Sequence, residues 1–221
     1  MMDIVVLGTG GHGRETLEVL EAINAQESRF EILGFLDDRL QPAEEVHGYP
    51  VLGDRFWLEF RSGSTLALAI GVGSPAARAR VAGWAAEHHV QVPALVHPAA
   101  IVSRRARLGE GVLVMSDSRI SIDTEIGAFA HLNHGCSVSH DCVLGRFATL
   151  APGVTLAGNV VLEEGAEMGV GAVAIPGARI GAWSMIGAGA VVTGSVLANV
   201  VAVGIPAAVR RQREVGWHLT P

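Results

Sequence analysis

From Val96 to Val192 one aliphatic position recurs every six residues without a slip, through seventeen hexads. A central stretch reads Val138, Leu144, Leu150, Leu156, Leu162 and Met168. Four residues after each such position stands a small or β-branched residue, as at Cys136, Cys142, Ala148, Val154 and Val160. Glycine often follows the aliphatic residue directly, at Gly109, Gly127, Gly145, Gly169, Gly181 and Gly187. A period of six matches neither a helix nor an alternating strand and is a signature of β-helical solenoids. Each hexad supplies a short strand and a corner, and three hexads close a triangular coil of eighteen residues, giving between five and six coils. The aliphatic residue fills the interior, the small one sits where the chain turns inward, and glycine relieves crowding near the corners.

The first half has a different rhythm. Residues 3–8 read as a buried strand, Gly8-Thr9-Gly10-Gly11-His12-Gly13 as a glycine-rich turn, and residues 14–26 as an amphipathic helix. A second strand, 30–38, ends in Asp37 and Asp38, and a third, 66–73, leads into a helix over 74–89. This alternation predicts a small Rossmann-like α/β domain with a parallel sheet over residues 1–92, then the solenoid over 93–204 and a tail over 205–221. The turn fits G-x-G-x-x-G, whose glycines let backbone amides and a helix N-terminus approach a phosphate. That pattern admits a nicotinamide dinucleotide, a nucleotide-sugar or a bare tight turn. The domain is short for a full dinucleotide fold, so a mononucleotide-type site is expected at the strand C-termini, with Gly71 in the neighbouring loop.

Composition narrows the class. A net charge of −6 argues against a nucleic-acid binder. No basic leader precedes the first apolar run and no stretch of eighteen apolar residues occurs, so a cytoplasmic enzyme without a membrane span is expected. Cys136 and Cys142 both occupy the small inward position and read as core spacers, not nucleophiles or ligands.

The densest chemistry runs from Asn133 to Cys142. His140 and Asp141 take the third and fourth hexad places, near a corner, where both point outward. Imidazole is suited to accept a proton near neutral pH, and a neighbouring carboxylate can fix its tautomer. Eighteen-residue stacking sets His140 between Ile122 and Gly158, with Gly158 leaving a notch beside the base, and sets His131 beside Thr149. His131 and His134 are left open between catalytic and ordinary roles. His12, in the glycine turn, is a candidate substrate contact, whereas His88, His89 and His97 read as surface or linker residues.

The GTGGHG turn, FLDD, AIG, LVHPAAIVS, LNHGCSVSHDCVLG, APGVTLAGNV and VAVGIPA together resemble one family over nearly the whole chain. The sequence is similar to the bacterial sugar acetyltransferases that include sialic acid O-acetyltransferases and nucleotide 4-amino-sugar N-acetyltransferases. That resemblance implies left-handed coils and a homotrimer, with acetyl-CoA lying along the β-helix at subunit contacts. It further implies His140 as general base and Asp141 as its orienting partner, with no metal. Gly10, Gly11, His12, Asp37, Asp38, Gly71 and Asn133 would meet the acceptor, and Gly158, Val170 and Ala188 the coenzyme. N-acetylation of a nucleotide-linked amino sugar is the expected reaction, O-acetylation of a sialic acid-like sugar the alternative. Two departures stand out: Thr149 lies where some relatives carry a second histidine implicated with the coenzyme, and Arg14-Glu15 replaces a Lys and an apolar residue. Outside this class, a zinc-dependent lyase of the carbonic-anhydrase type would need His131, His134 and His140 as ligands, and a non-catalytic nucleotide-sugar binder would need none of them. The tail is expected either to cap the solenoid or to offer arginines to coenzyme phosphates.

Overall fold

The computed structural model describes residues 1–39, 42, 44–61 and 66–219. The first domain is a five-stranded sheet in the order β3-β4-β2-β1-β5. Its strands are β1 (Met2–Leu7), β2 (Phe30–Leu36), β3 (Glu45–Val46), β4 (Tyr49–Gly53) and β5 (Ala67–Ile70), all parallel except for the antiparallel β3–β4 pair. Helix α1 (Gly11–Gln26) follows β1, and α2 (Pro75–Glu87) follows β5, its N-terminus capped by Ser74, which accepts from the Ala77 amide. The sequence reading missed β3 and β4, which are short and carry Pro50 in place of an alternating pattern. It also began α1 three residues late, because Gly11, His12 and Gly13 of the glycine turn are already helical.

Two of the glycines in this region are there for space. A Cβ on Gly13 would lie 1.8 Å from the Gly8 carbonyl oxygen, and one on Gly71 would lie 2.5 Å from Gly13 Cα. Strand β1, the first turn of α1 and the end of β5 therefore meet backbone to backbone, as the third glycine of such a turn requires.

From Leu95 onward the chain is a left-handed parallel β-helix with three sheets. The first has eight strands and begins at Leu95–Val96; the second and third have six each and begin at Ile101–Val102 and Arg107–Leu108. Partners in the parallel ladders differ by eighteen residues, as in Ser137 with Thr155 or Val143 with Val161, until the last coil, where Arg179 pairs with Ser195 and Met185 with Val201. The predicted aliphatic positions form the dry axis, among them Leu144, Leu150, Leu156 and Leu162, each at most 1% exposed. Cys136 and Cys142 lie in this core as free thiols, and burial raises both thiol pKa values, Cys136 to about 11. The post-aliphatic glycines are needed for close approach between coils: a Cβ on Gly127 or Gly145 would meet the next coil's backbone at 2.7 Å.

A separate corner position, also repeating every six, has positive φ. Asp117, Asp123, Asp141 and Asn159 occupy it with glycines, the residue types that best tolerate the left-handed region. Phe129, Phe147 and Trp183 are the bulky exceptions, and all three fall on the edge between the third and first sheets. They are at most 7% exposed and pack with α2, so apolar burial offsets the backbone cost. The first domain thus covers the lower part of the first sheet and this edge.

The tail adds the last strand at the C-terminal end of the first sheet. Ala208–Gln212 pairs antiparallel with Val200–Val203, extending the first sheet. Trp217–Leu219 then doubles back to α2, with His218 stacked on Trp183 at 3.7 Å between ring centroids. Thr220 and Pro221 lie outside the described residues.

Candidate active site

The corner conformation presents the catalytic candidates. Asp141 sits at φ 58°, and its neighbour His140 is turned out of the second-to-third sheet edge with it, both side chains slightly more than half exposed. His140 Nδ1 lies 2.7 Å from Asp141 Oδ2. A carboxylate only accepts, so Nδ1 carries the proton and Nε2 is the basic nitrogen of the neutral ring. The notch expected at Gly158 is filled by the imidazole itself: a Cβ there would lie 2.5 Å from His140 Cε1 and 2.7 Å from Nε2. Gly158 is the seat of the base.

Other residues named for the site fall on different edges. Asn133 lies on the first-to-second edge and donates its amide to the Leu150 carbonyl at 3.1 Å. Val170 and Ala188 are exposed on that same edge, one coil apart. They do not share an edge with Gly158, so the three coenzyme candidates belong to two separate lines of the solenoid.

In the first domain a cavity of about 320 Å³ opens beyond the C-terminal ends of β1, β2 and β5. Its walls include Gly8, Asp37, Asp38, Arg55, Val72 and Arg80. This is the crevice where open α/β sheets bind ligands, and its size suits a small molecule. Asp37 is buried and accepts from the Thr9 amide at 3.0 Å and the Thr9 hydroxyl at 2.6 Å. Burial pushes its carboxyl up, yet the hydrogen bonds from Thr9 and Arg39 outweigh this and hold it well below the usual carboxylate range. Asp37 therefore acts first as the brace of the glycine turn. Asp38 pairs with Arg55 at 3.0 Å on the rim. Gly71 is buried against Gly13, and Gly10 and Gly11 flank open space at the start of α1, outside the cavity lining.

His12 does not face that cavity. It turns onto the first sheet, with Nε2 2.9 Å from Nδ1 of His131, which is 1% exposed, and with Nδ1 3.6 Å from Glu15. Burial lowers the His12 pKa to about 4, helped by the charge of Arg78 and by His134; burial and the same arginine push His131 well below 6.5. Glu15 also approaches His134 at 3.9 Å, and His134 Nδ1 lies 3.0 Å from the Ser116 hydroxyl. The three histidines of the zinc alternative are thus tied to three different partners, and among the described residues no three side chains are grouped to hold a metal.

Comparison with known proteins places this geometry. Residues 3–85 match the PglD N-terminal domain family. GDP-perosamine N-acetyltransferase from Caulobacter crescentus, solved with CoA and GDP-perosamine as a histidine-to-alanine variant, superposes with a TM-score of 0.88. It is 36% identical, with 96% of this chain and 98% of that one covered. The chain belongs to the hexapeptide-repeat sugar N-acetyltransferases. Another member, the acetyltransferase domain of PglB from Neisseria gonorrhoeae in complex with acetyl coenzyme A, is 31% identical with a TM-score of 0.88, covering 94% of this chain and 98% of that one. GDP-perosamine N-acetyltransferase of Escherichia coli O157:H7 is 35% identical over 143 residues, which span 60% of this chain and 62% of that relative.

Within this family frame, the sequence reading missed one group outright. Arg78 is 0% exposed, and all five of its N–H donors are used. Nε donates to the Phe129 carbonyl at 2.7 Å, one terminal nitrogen to Val72 and Gly73 carbonyls, and the other to the Phe147 carbonyl and the Thr149 hydroxyl. Thr149, the departure from the relatives' histidine, is here a partner of that arginine at 2.7 Å. A signal was available: Arg78 falls on the same helical stripe as Pro75, Val81, Ala82 and Ala85, the buried face of α2.

Proposed function

We propose that this enzyme transfers the acetyl group of acetyl-CoA to the free amine of a nucleotide-linked amino sugar, with His140 as general base. The observation that carries the reading is the His140–Asp141 dyad, seated over Gly158, whose Nδ1–carboxylate contact leaves Nε2 as the basic nitrogen. The relatives solved with CoA, acetyl coenzyme A and GDP-perosamine support both substrates. The acceptor amine attacks the thioester carbonyl directly, forming the new C–N bond. One amine proton passes to Nε2, the C–S bond breaks, and the imidazolium returns the proton to the departing thiolate. Both cysteine thiols are buried and held protonated, which speaks against a covalent acetyl-enzyme.

The nucleotide part of the acceptor occupies the cavity beside Asp38, Arg55 and Arg80, while the coenzyme follows Gly158 on one edge and Val170 and Ala188 on another. Within one chain the first domain covers the first sheet and the third-to-first edge, whereas the dyad stands on the opposite, second-to-third edge. That separation supports a homotrimer in which an edge of one subunit meets the first domain or an edge of the next. Asn133 then approaches the reacting amine from a neighbouring subunit. Free buried cysteines fit action in the cytoplasm, and the perosamine relatives support a product used in polysaccharide assembly.

Replacing His140 with alanine tests the assignment. Turnover is expected to fall on the order of a hundredfold while light scattering still reports the trimer. Full activity in that variant would overturn the role of His140.

A further inference from the structure

Arg78 is the largest fully buried side chain among the described residues, and it has no ion pair there. Burial lowers its pKa to about 9, so it still carries its charge at neutral pH. A buried charge without a counter-ion weakens a fold, and apolar contacts of Phe129 and Phe147 with α2 already join the two domains at this place. A plain structural join has no need of the guanidinium. What the guanidinium adds is direction, since its flat fork reaches two sets of oxygens at once.

Those oxygens belong to both halves of the proposed site. Val72 and Gly73 form the loop between β5 and α2, and Val72 lines the cavity together with Ala77, Arg80 and Val81 around Arg78 on α2. Phe129, Phe147 and Thr149 belong to the solenoid. Next to this bridge, the His12–His131 hydrogen bond fixes the first turn of α1 to the same sheet. That bond needs both rings neutral, or one proton shared, because two imidazolium rings have no acceptor between them. The charged and titratable groups facing the pair are Arg78, Glu15 and His134, with Glu167 acting on Arg78 at longer range.

We propose that Arg78 is a positioning residue for the acceptor: its five hydrogen bonds lock the cavity-lining 72–73 loop onto the solenoid, and its charge faces the neighbouring His12–His131 contact. This rests on the reading of the cavity as the acceptor's site. The role of Thr149 follows from it, since in this chain the position serves the interdomain bridge.

Two substitutions separate the two parts of the proposal. Arg78→Lys keeps the charge but offers three N–H groups from a single nitrogen, which cannot span both domains; Arg78→Gln removes charge and bridge together. In steady-state assays of folded protein, the KM for the nucleotide-amino sugar is expected to rise about tenfold or more in both, with the KM for acetyl-CoA within twofold of the parent. In histidine-labelled protein without substrates, the NMR titration of His12 is expected to move up by about one pH unit or more in Arg78→Gln and to stay low in Arg78→Lys. A rise in both KM values together, or an unchanged acceptor KM in the folded Lys variant, would overturn the positioning role. An unchanged His12 titration in folded Arg78→Gln would overturn the electrostatic part. Should the Gln variant not fold, the Lys variant alone decides positioning, and a glutamine-free check of the charge comes from Arg78→Met. The NMR readout needs no turnover, so failure to acetylate any sugar would count against the proposed function without touching this measurement.

Discussion

Asp141 illustrates how one residue serves backbone and chemistry together. Its φ of 58° lies where a residue other than Gly, Asn or Asp costs about 1–2 kcal/mol, so alanine there would confuse strain with lost chemistry. Asparagine is the clean substitution: it tolerates the conformation but no longer offers a carboxylate to the Nδ1 proton. Asp141→Asn is expected to lower kcat by at least about tenfold with little change in melting temperature. Equal kcat in the two proteins would remove Asp141 from the mechanism. Gly158 gives a steric counterpart. A methyl group there would press on the imidazole at 2.5 Å, and a side chain can swing away where backbone cannot. Gly158→Ala should therefore displace the base and cost on the order of tenfold or more in turnover while the protein remains folded.

At the scale of elements, the hexad register made the solenoid legible: it placed the axis residues, the cysteines and the outward pair at their positions before any coordinates. The glycine stacking is more demanding than the pattern alone implied. Gly145→Ala puts a Cβ 2.7 Å from the Glu164 backbone nitrogen, and neither coil can yield. It is expected to destabilise by about 1–3 kcal/mol, whereas Gly194→Ala, which meets nothing within 4 Å, should stay within about 0.5 kcal/mol. Denaturant melts of the two variants check this, and equal midpoints would contradict it. The first domain was harder to read. Its short strands β3 and β4 carry no alternation, and the direction of His12 is set by a residue 119 positions away in the chain. Arg78 stayed hidden because an arginine in an alanine-rich helix reads as solvated unless the buried stripe is traced first.

On the scale of the molecule, the two domains share an interface that holds unpaired charge and neutral histidines, and this has a consequence for pH. His12 takes a proton near pH 4 in the folded chain, His131 well below 6.5, and both near 6.5 when unfolded. Between those values the unfolded chain binds the extra protons, so stability falls as pH drops from 6.5 towards 4. The slope is roughly 1.4 kcal/mol per pH unit for each histidine. Thermal melts between pH 7 and 4.5 should show a steady loss that is shallower in His131→Gln, and a flat profile would contradict the buried pair. The same interface leaves the dyad on one edge and the cavity beside another, the separation on which the proposed homotrimer rests.

The most direct test of the central claim is release of coenzyme A from acetyl-CoA across a panel of nucleotide-amino sugars and sialic acids, with mass spectrometry of the product. The account predicts stoichiometric release with a nucleotide-linked amino sugar, one acetyl group gained on its amine, and a collapse of the rate in His140→Ala. Acetylation confined to a sugar hydroxyl, or no release with any nucleotide-amino sugar, would contradict it.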